Sequence, residues 1–310
     1  MKKLPLIVLV GPTASGKTSL AVELCKEING EVVTADSMQV YKDMNIGTAK
    51  PDESEMQGIK HHMIDIVEPD ENYSLAQYVQ DAGECIKDIV SRGKIPVLAG
   101  GTGLYVDTLT QNIMLSEGDT DFKYREELLS RSEKEGNEVL LKELYEIDAE
   151  TAERLHLNDT KRIVRALEVY KATGITQSEH IRRSKQAETP YNTVKFCITG
   201  DRDELYRRIN IRVDKMFENG LLEEAKSLFE RGIDEKYTSM QGIGYKEIFG
   251  FFRNQVPLEF CIDQIKQNTR RYAKRQISWF KRDENQILID MNSEKKMEML
   301  KKHIDLYKIL

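Results

Sequence analysis

Two hydrophobic rhythms alternate along the chain. Leu6-Ile7-Val8-Leu9-Val10 is an unbroken apolar run, the pattern of a strand buried on both faces. Leu20, Ala21, Leu24, Cys25 and Ile28 then recur at helical spacing. Runs at 31–35, 62–67 and 95–99 predict further strands, and 73–91 predicts a helix. Strands alternating with helices imply a parallel, doubly wound α/β sheet with its ligand site beyond the strands' C-terminal ends.

The pattern then changes. No proline occurs between Pro96 and Pro190, and charged helical periods fill 122–134, 138–147, 151–157 and 159–173. In the last, Ile163, Leu167 and Tyr170 form one stripe, with Arg162 and Arg165 beside it. An apolar run at 194–199 returns to strand rhythm, followed by helical patterns at 203–219, 221–231 and 258–282 and a last strand at 286–290. The expected organisation is an α/β core from 1–115 and 194–310, interrupted by an all-helical insertion at 116–193.

Between the first strand and first helix lies Gly11-Pro12-Thr13-Ala14-Ser15-Gly16-Lys17-Thr18. Strand, Gly-x-x-x-x-Gly-Lys-Thr, helix is the full context of a phosphate-binding loop. Its amides and the helix N-terminus point at phosphate oxygens, Lys17 adds a charge, and the Thr18 hydroxyl suits Mg²⁺. Alone, the loop predicts a bound di- or triphosphate such as ATP without saying which.

Asp36, in Asp36-Ser37-Met38-Gln39-Val40-Tyr41, ends the second predicted strand on the same side. It suits a base or a Mg²⁺ partner through water, and equally a helix N-cap. Gln39 carries a donor and an acceptor for a nucleobase edge. Gly100-Gly101-Thr102-Gly103 has the composition of a turn that brings backbone close to a ligand, with Thr102 as a helix cap. No aspartate ends that strand, which argues against a motor ATPase or a GTPase. His61 and His62 are adjacent in a predicted strand, so they point to opposite faces and do not share an ion.

Net charge −6 argues against a nucleic-acid partner only if the charge is evenly spread. It is not. Lys266, Arg270, Arg271, Lys274, Arg275, Lys281 and Arg282 lie in a stretch free of acidic residues, with Ile262, Ile265, Tyr272, Ala273 and Trp279 marking an apolar side. A basic helix with one buried face fits a run of phosphates such as an RNA backbone. The four isolated cysteines suit reduced thiols. Lys2-Lys3 before an apolar run resembles a signal peptide, but the run is short and leads into the phosphate loop. No run approaches the roughly 20 apolar residues of a membrane span. A cytoplasmic protein is expected.

Together these motifs resemble the tRNA dimethylallyltransferase (tRNA isopentenyltransferase) family. Beside the phosphate loop and Asp36–Tyr41, the matching segments are Gly47-Thr48-Ala49-Lys50-Pro51, His61–Asp65, Gly100–Tyr105, Asn158–Glu168, Met240-Gln241-Gly242-Ile243-Gly244-Tyr245 and Thr269–Gln276. The resemblance implies a P-loop NTPase-like sheet and transfer of a dimethylallyl group from dimethylallyl diphosphate to N6 of the adenosine 3′ of the tRNA anticodon. By the same resemblance Asp36 is the base, Lys17 and Thr18 act with it on the reacting groups, and Mg²⁺ sits near Thr18. Also implied is a monomer whose anticodon stem-loop contacts include Asp36, Ser37, Met38, Gln39, Thr102, Arg125, Thr160, Lys161, Arg162, Ile163, Val164, Met240 to Tyr245, Arg270, Arg271, Lys274, Arg275 and Gln276.

Three rivals stay open on the residues alone. A small-molecule P-loop kinase explains the loop but leaves the basic helix idle. An adenylate isopentenyltransferase takes the same donor with a free nucleotide as acceptor. A non-enzymatic RNA-binding module has no need of Lys17, Thr18 and Asp36 together.

Overall fold

The computed structural model describes residues 3–113, 121–186 and 188–309. By chain contacts it divides into two compact units, Met1–Thr110 with Pro190–Leu310, and Gln111–Thr189.

The first unit is built on the apolar run near the start of the chain. Leu4–Val10 forms β1, and Leu6 to Val10 are wholly buried. Each such side chain contributes roughly 1.5–3 kcal/mol of burial free energy. The chain continues through α1 (Lys17–Ile28), β2 (Gly30–Ala35), α2 (Glu53–Met56), β3 (His61–His62), α3 (Leu75–Ser91), β4 (Ile95–Gly100) and α4 (Gly103–Thr110). After the second unit, which holds α5 (Phe122–Glu135), α6 (Asn137–Ile147), α7 (Ala149–Arg154), α8 (Thr160–Thr173) and α9 (Gln177–Gln186), come β5 (Tyr191–Thr199), α10 (Arg202–Glu218) and α11 (Leu221–Glu230). A short 3₁₀ turn at Thr238–Gln241, α12 (Tyr245–Phe252), α13 (Leu258–Phe280), β6 (Ile287–Asp290) and α14 (Lys296–Leu306) complete it.

The six strands form one sheet in the order β3-β2-β4-β1-β5-β6, with every pairing parallel. Alternate residues of β1 serve opposite faces. Ile7 and Leu9 pack with α1, α10 and α14, while Leu6, Val8 and Val10 pack with α3, α4 and Phe280. A third cluster joins Val40, Tyr41 and Met44 to α11, α12 and Ile265. Because all strands run the same way, β1, β2 and β4 deliver the phosphate loop, Asp36 and the Gly101–Thr102 turn to the same C-terminal end of the sheet.

Two strands depart from the sequence pattern by three residues or more. The run at 62–67 is not a strand throughout. Met63 and Asp65 adopt positive φ, 66° and 54°, which ends β3 at His62 and leaves only a bridge between Tyr41 and Val67. β5 begins three residues early, at Tyr191, because Tyr191–Thr193 pair with Leu4–Leu6.

In the second unit Leu128, Leu140, Leu144, Ala152, Ile163, Val164, Ala166 and Leu167 form a helical core. The buried Asp148 carboxylate there accepts from the Thr151 and Ser178 amides, which hold it below its usual range. The expected core boundary at 115/116 lies outside the described residues. No helix among the described residues is long and apolar enough to cross a membrane.

Candidate active site

The phosphate loop wraps from β1 to α1. Ala14 adopts φ 62° and Gly16 φ 86°, and no side chain caps α1, so the first helical amides stay available to a ligand. Thr18 is exposed and lines the cavity in front of the loop. Ser15 is buried with its hydroxyl unpartnered. Lys17 donates to Pro12 O at 2.7 Å, and burial brings its ammonium down to about 8, with Arg212 adding repulsion.

One side chain fixes the loop from behind. Gln276, 5% exposed, accepts from Thr13 N at 2.8 Å and donates to Gly101 O at 2.9 Å. The fit at Gly101 leaves no room for a side chain, because a Cβ there would lie 2.1 Å from Gln276 Nε2. Beside it, Thr102 N donates to Ala35 O and the Thr102 hydroxyl accepts from Ser37 N at 3.1 Å. The end of β4 is thereby laced to the end of β2, directly before Asp36.

Asp36 accepts from Met38 N at 2.9 Å. Burial pushes its carboxyl above the usual range, against the opposing pull of the Met38 and Gln39 amides, Lys17 and Arg212. Arg212 comes from α10, where the charged pattern gives no sign of a site residue. It donates to Thr13 Oγ1 and Ala49 O, both at 3.4 Å, and burial lowers its pKa. One carboxylate and two cations thus converge beside the phosphate loop.

Two cavities meet at this point. One, of about 410 Å³, is lined by Lys17, Thr18, His61, Gly100, Gly101 and the basic Arg208 and Lys215. The other, of about 230 Å³, is lined by Met38, Ile209, Val213, Met216, Leu221, Ile243 and Ile265 with Ser37 and Arg275. Thr13, Asp36, Thr48, Ala49, Arg212 and Tyr272 border both. The arrangement therefore offers an anion-binding chamber and an apolar chamber joined at a carboxylate.

Several side chains singled out as RNA contacts are occupied within the fold. Met240 and Tyr245 are 0% exposed, and the Tyr245 hydroxyl donates to Glu224 at 2.7 Å. Gln276 is the loop anchor just described. Ile163 and Val164 belong to the helical core. These five side chains are packed inside the fold. Gln39 donates its amide to Thr48 O and Ala49 O, at 3.2 and 3.1 Å. Arg125 pairs with Glu168 at 2.7 Å, and Thr160 accepts from Asn137 at 2.7 Å. Gly242 packs on Met38, while Gln241, Ile243 and Gly244 line the apolar chamber. Arg270 donates to Asn210 at 2.6 Å, whereas Arg271, Lys274 and Arg275 on α13 and Lys161 and Arg162 on α8 are exposed. The histidines do separate: His62 pairs with Glu31 at 2.7 Å, and His61 faces the larger cavity.

Residues 39–283 match the family model described as IPP transferase. The chain is 46% identical over 301 residues to a tRNA dimethylallyltransferase of Acetivibrio thermocellus, covering 97% of this chain and 96% of that protein. It is 43% identical over 302 residues to the tRNA dimethylallyltransferase of Bacillus subtilis, covering 97% and 96%. The solved tRNA isopentenylpyrophosphate transferase of Bacillus halodurans is similar at TM-score 0.74 and 42% identity, over 99% of this chain and 97% of that one. A eukaryotic dimethylallyltransferase acting on tRNA is similar at TM-score 0.81 and 32% identity, over 97% of this chain and 78% of its own. Identity sustained along almost the whole of both bacterial relatives, on a fold shared with two solved transferases, makes this chain a member of the IPP transferase family.

Proposed function

We propose that this protein transfers the dimethylallyl group of dimethylallyl diphosphate to N6 of the tRNA adenosine 3′-adjacent to the anticodon, position 37, releasing diphosphate. The observation that carries the reading is the pair of chambers sharing Asp36 and Arg212. An allylic diphosphate has one polyanionic and one apolar end, and the two chambers suit those ends in turn.

In the proposed reaction the allylic C–O bond breaks and its electron pair leaves on the diphosphate. The loop amides, Lys17 and Arg212 stabilise that charge in a desolvated chamber, where fixed donors act most strongly. The N6 lone pair forms the new C–N bond, and Asp36 takes the N6 proton. Burial makes Asp36 a stronger base than an exposed carboxylate, while the Met38 amide fixes its orientation. The adenine must leave its stack to reach Asp36, at a few kcal/mol recovered in pocket contacts.

The residues fit Mg²⁺. No cluster of three His, Cys, Asp or Glu forms a metal cage among the described residues. The exposed Thr18 hydroxyl is a hard donor for a site that draws its remaining oxygens from phosphate and water. Thr18 would hold the ion, which when bound neutralises charge on the departing diphosphate. Arg271, Lys274 and Arg275 supply an exposed cationic row for tRNA phosphates.

The test is an acceptor assay with labelled dimethylallyl diphosphate and Mg²⁺, offering tRNA or AMP. Label in tRNA alone is expected. Label in AMP alone would replace this reading with transfer to a free nucleotide.

A further inference from the structure

We propose that Glu224 is a positioning residue for the donor site, clamping the loop that walls the apolar chamber. The inference rests on reading that chamber as the place of the prenyl group.

The loop between Met44 and Lys50 belongs to no strand or helix. Three successive amides, Asn45 N, Ile46 N and Gly47 N, donate to the Glu224 carboxylate at 2.8, 2.9 and 3.0 Å. The first two share Oε2, and the third shares Oε1 with the Tyr245 hydroxyl. One carboxylate from the first turn of α11 thus satisfies four donors. Consecutive backbone N–H groups converging on an anion form a nest, normally a place for a bound phosphate or carboxylate. Here the protein fills it with its own side chain.

What the clamp positions is the wall between the chambers. Thr48 and Ala49 border both cavities, and Gly47 borders the apolar one. Gly47 lies flat on Tyr245, where a Cβ would come within 2.6 Å of the ring. Ala49 has φ 50°, a left-handed conformation that costs an alanine about 1 kcal/mol or more and persists only when its surroundings impose it. Those surroundings are Gln39 and Arg212 on the Ala49 carbonyl, the turn bond from Ala49 N to Ile46 O, and the Glu224 clamp on Ile46 and Gly47 just before it. Arg212 is also a cation of the diphosphate chamber, so a displaced wall would disturb the junction where the allylic carbon reacts.

Substitution by glutamine separates the clamp from simple bulk. In Glu224→Gln the remaining carbonyl oxygen still accepts two amides, but the new NH₂ group faces the Gly47 N–H, donor against donor. The test compares the full-length protein with Glu224→Gln and Glu224→Asp in three measurements. Hydrogen exchange at Gly47 should quicken ~10-fold in Glu224→Gln, the response of an amide that loses its acceptor, with a smaller change at Asn45 and Ile46, whose acceptor oxygen remains. The Kd for dimethylallyl diphosphate should rise ~10-fold while that for inorganic pyrophosphate, which lacks the prenyl group, moves less than ~2-fold. Glu224→Asp, which keeps the charge on a shorter arm, should fall between.

Equal weakening of both ligands, or faster exchange with no change in either affinity, overturns the proposal and leaves Glu224 a stability residue only. A wild type that binds pyrophosphate and the prenyl diphosphate equally removes the prenyl group from this chamber and overturns it too. Tight, selective binding of the donor without transfer to tRNA would instead defeat the proposed function, while the binding ratio still decides the clamp.

Discussion

Gln276→Met replaces an amide by a thioether of similar length and isolates one contact, the bridge between Thr13 N and Gly101 O. Both bonds are lost, and neither backbone group has a substitute partner on the interior side, since Gln276 itself is buried. A buried polar group left unmade costs roughly 1–3 kcal/mol. Thr13 borders the cavities and can recover a water, so about 2–4 kcal/mol in all is the expected loss of stability. For a chain of this size that lowers Tm by roughly 5–10 °C. Because the Thr13 amide belongs to the phosphate loop, kcat/KM for dimethylallyl diphosphate should fall ~10²-fold as the loop loses its register. The affinity for tRNA should stay within ~2-fold, since the side chain is nearly buried and offers little surface to a partner. Calorimetry, donor kinetics and a tRNA filter-binding titration read the three quantities. Lost tRNA affinity with unchanged Tm and donor kinetics would refute the assignment of Gln276 as a loop anchor.

Three further perturbations bear on the chambers and the basic helix. Arg212→Ala should lower donor kcat/KM by ~10–100-fold, the weight of one charge-assisted interaction, and Arg212→Lys should recover only part of it because the planar fork is lost; full activity in Arg212→Ala would remove Arg212 from the diphosphate site. Lys17 acts protonated and its pKa is depressed to about 8, so donor kcat/KM should decline as pH rises through that value. In kcat the same limb should lie higher, because bound diphosphate holds the ammonium charged; a donor profile flat to about pH 10 contradicts this. Arg271→Gln with Lys274→Gln should weaken tRNA binding and reduce the slope of log K against log salt by ~1–2, with donor KM unmoved. An unaltered slope makes that face plain surface.

The phosphate loop and Asp36 are legible in the sequence because their chemistry is local: strand, glycines, lysine, threonine and helix follow one another within a few residues. Arg212 is not. Along α10 it is one of several cations, among them Arg207 and Arg208, which pair with Glu204 on their own helix. Only the packing of α10 against the sheet turns Arg212 toward Asp36, and no pattern in one helix encodes that choice. Motif membership does not say which side chains face inward. Met240, Tyr245 and Gln276 sit in segments that resemble the family's, and their side chains pack and hydrogen-bond inside the fold. The helical patterns on either side are plain in the sequence, whereas α12 is not. Tyr245–Phe252 spans only eight residues, so the spacing of its buried Tyr245, Ile248 and Phe249 is too short a period to single out a helix in the sequence. The strand expected at 62–67 fails for another reason, since a run of apolar residues does not reveal left-handed turns at Met63 and Asp65.

The central claim is that Asp36 performs proton transfer at the meeting point of two chambers, and a single-turnover measurement with Asp36→Asn tests it most directly. Asparagine keeps the shape and the Met38 contact but cannot take a proton. With saturating dimethylallyl diphosphate and Mg²⁺, prenyl transfer to tRNA should slow by at least ~10²-fold, with tRNA and donor affinities within ~3-fold of wild type. Transfer at the wild-type rate would contradict the account.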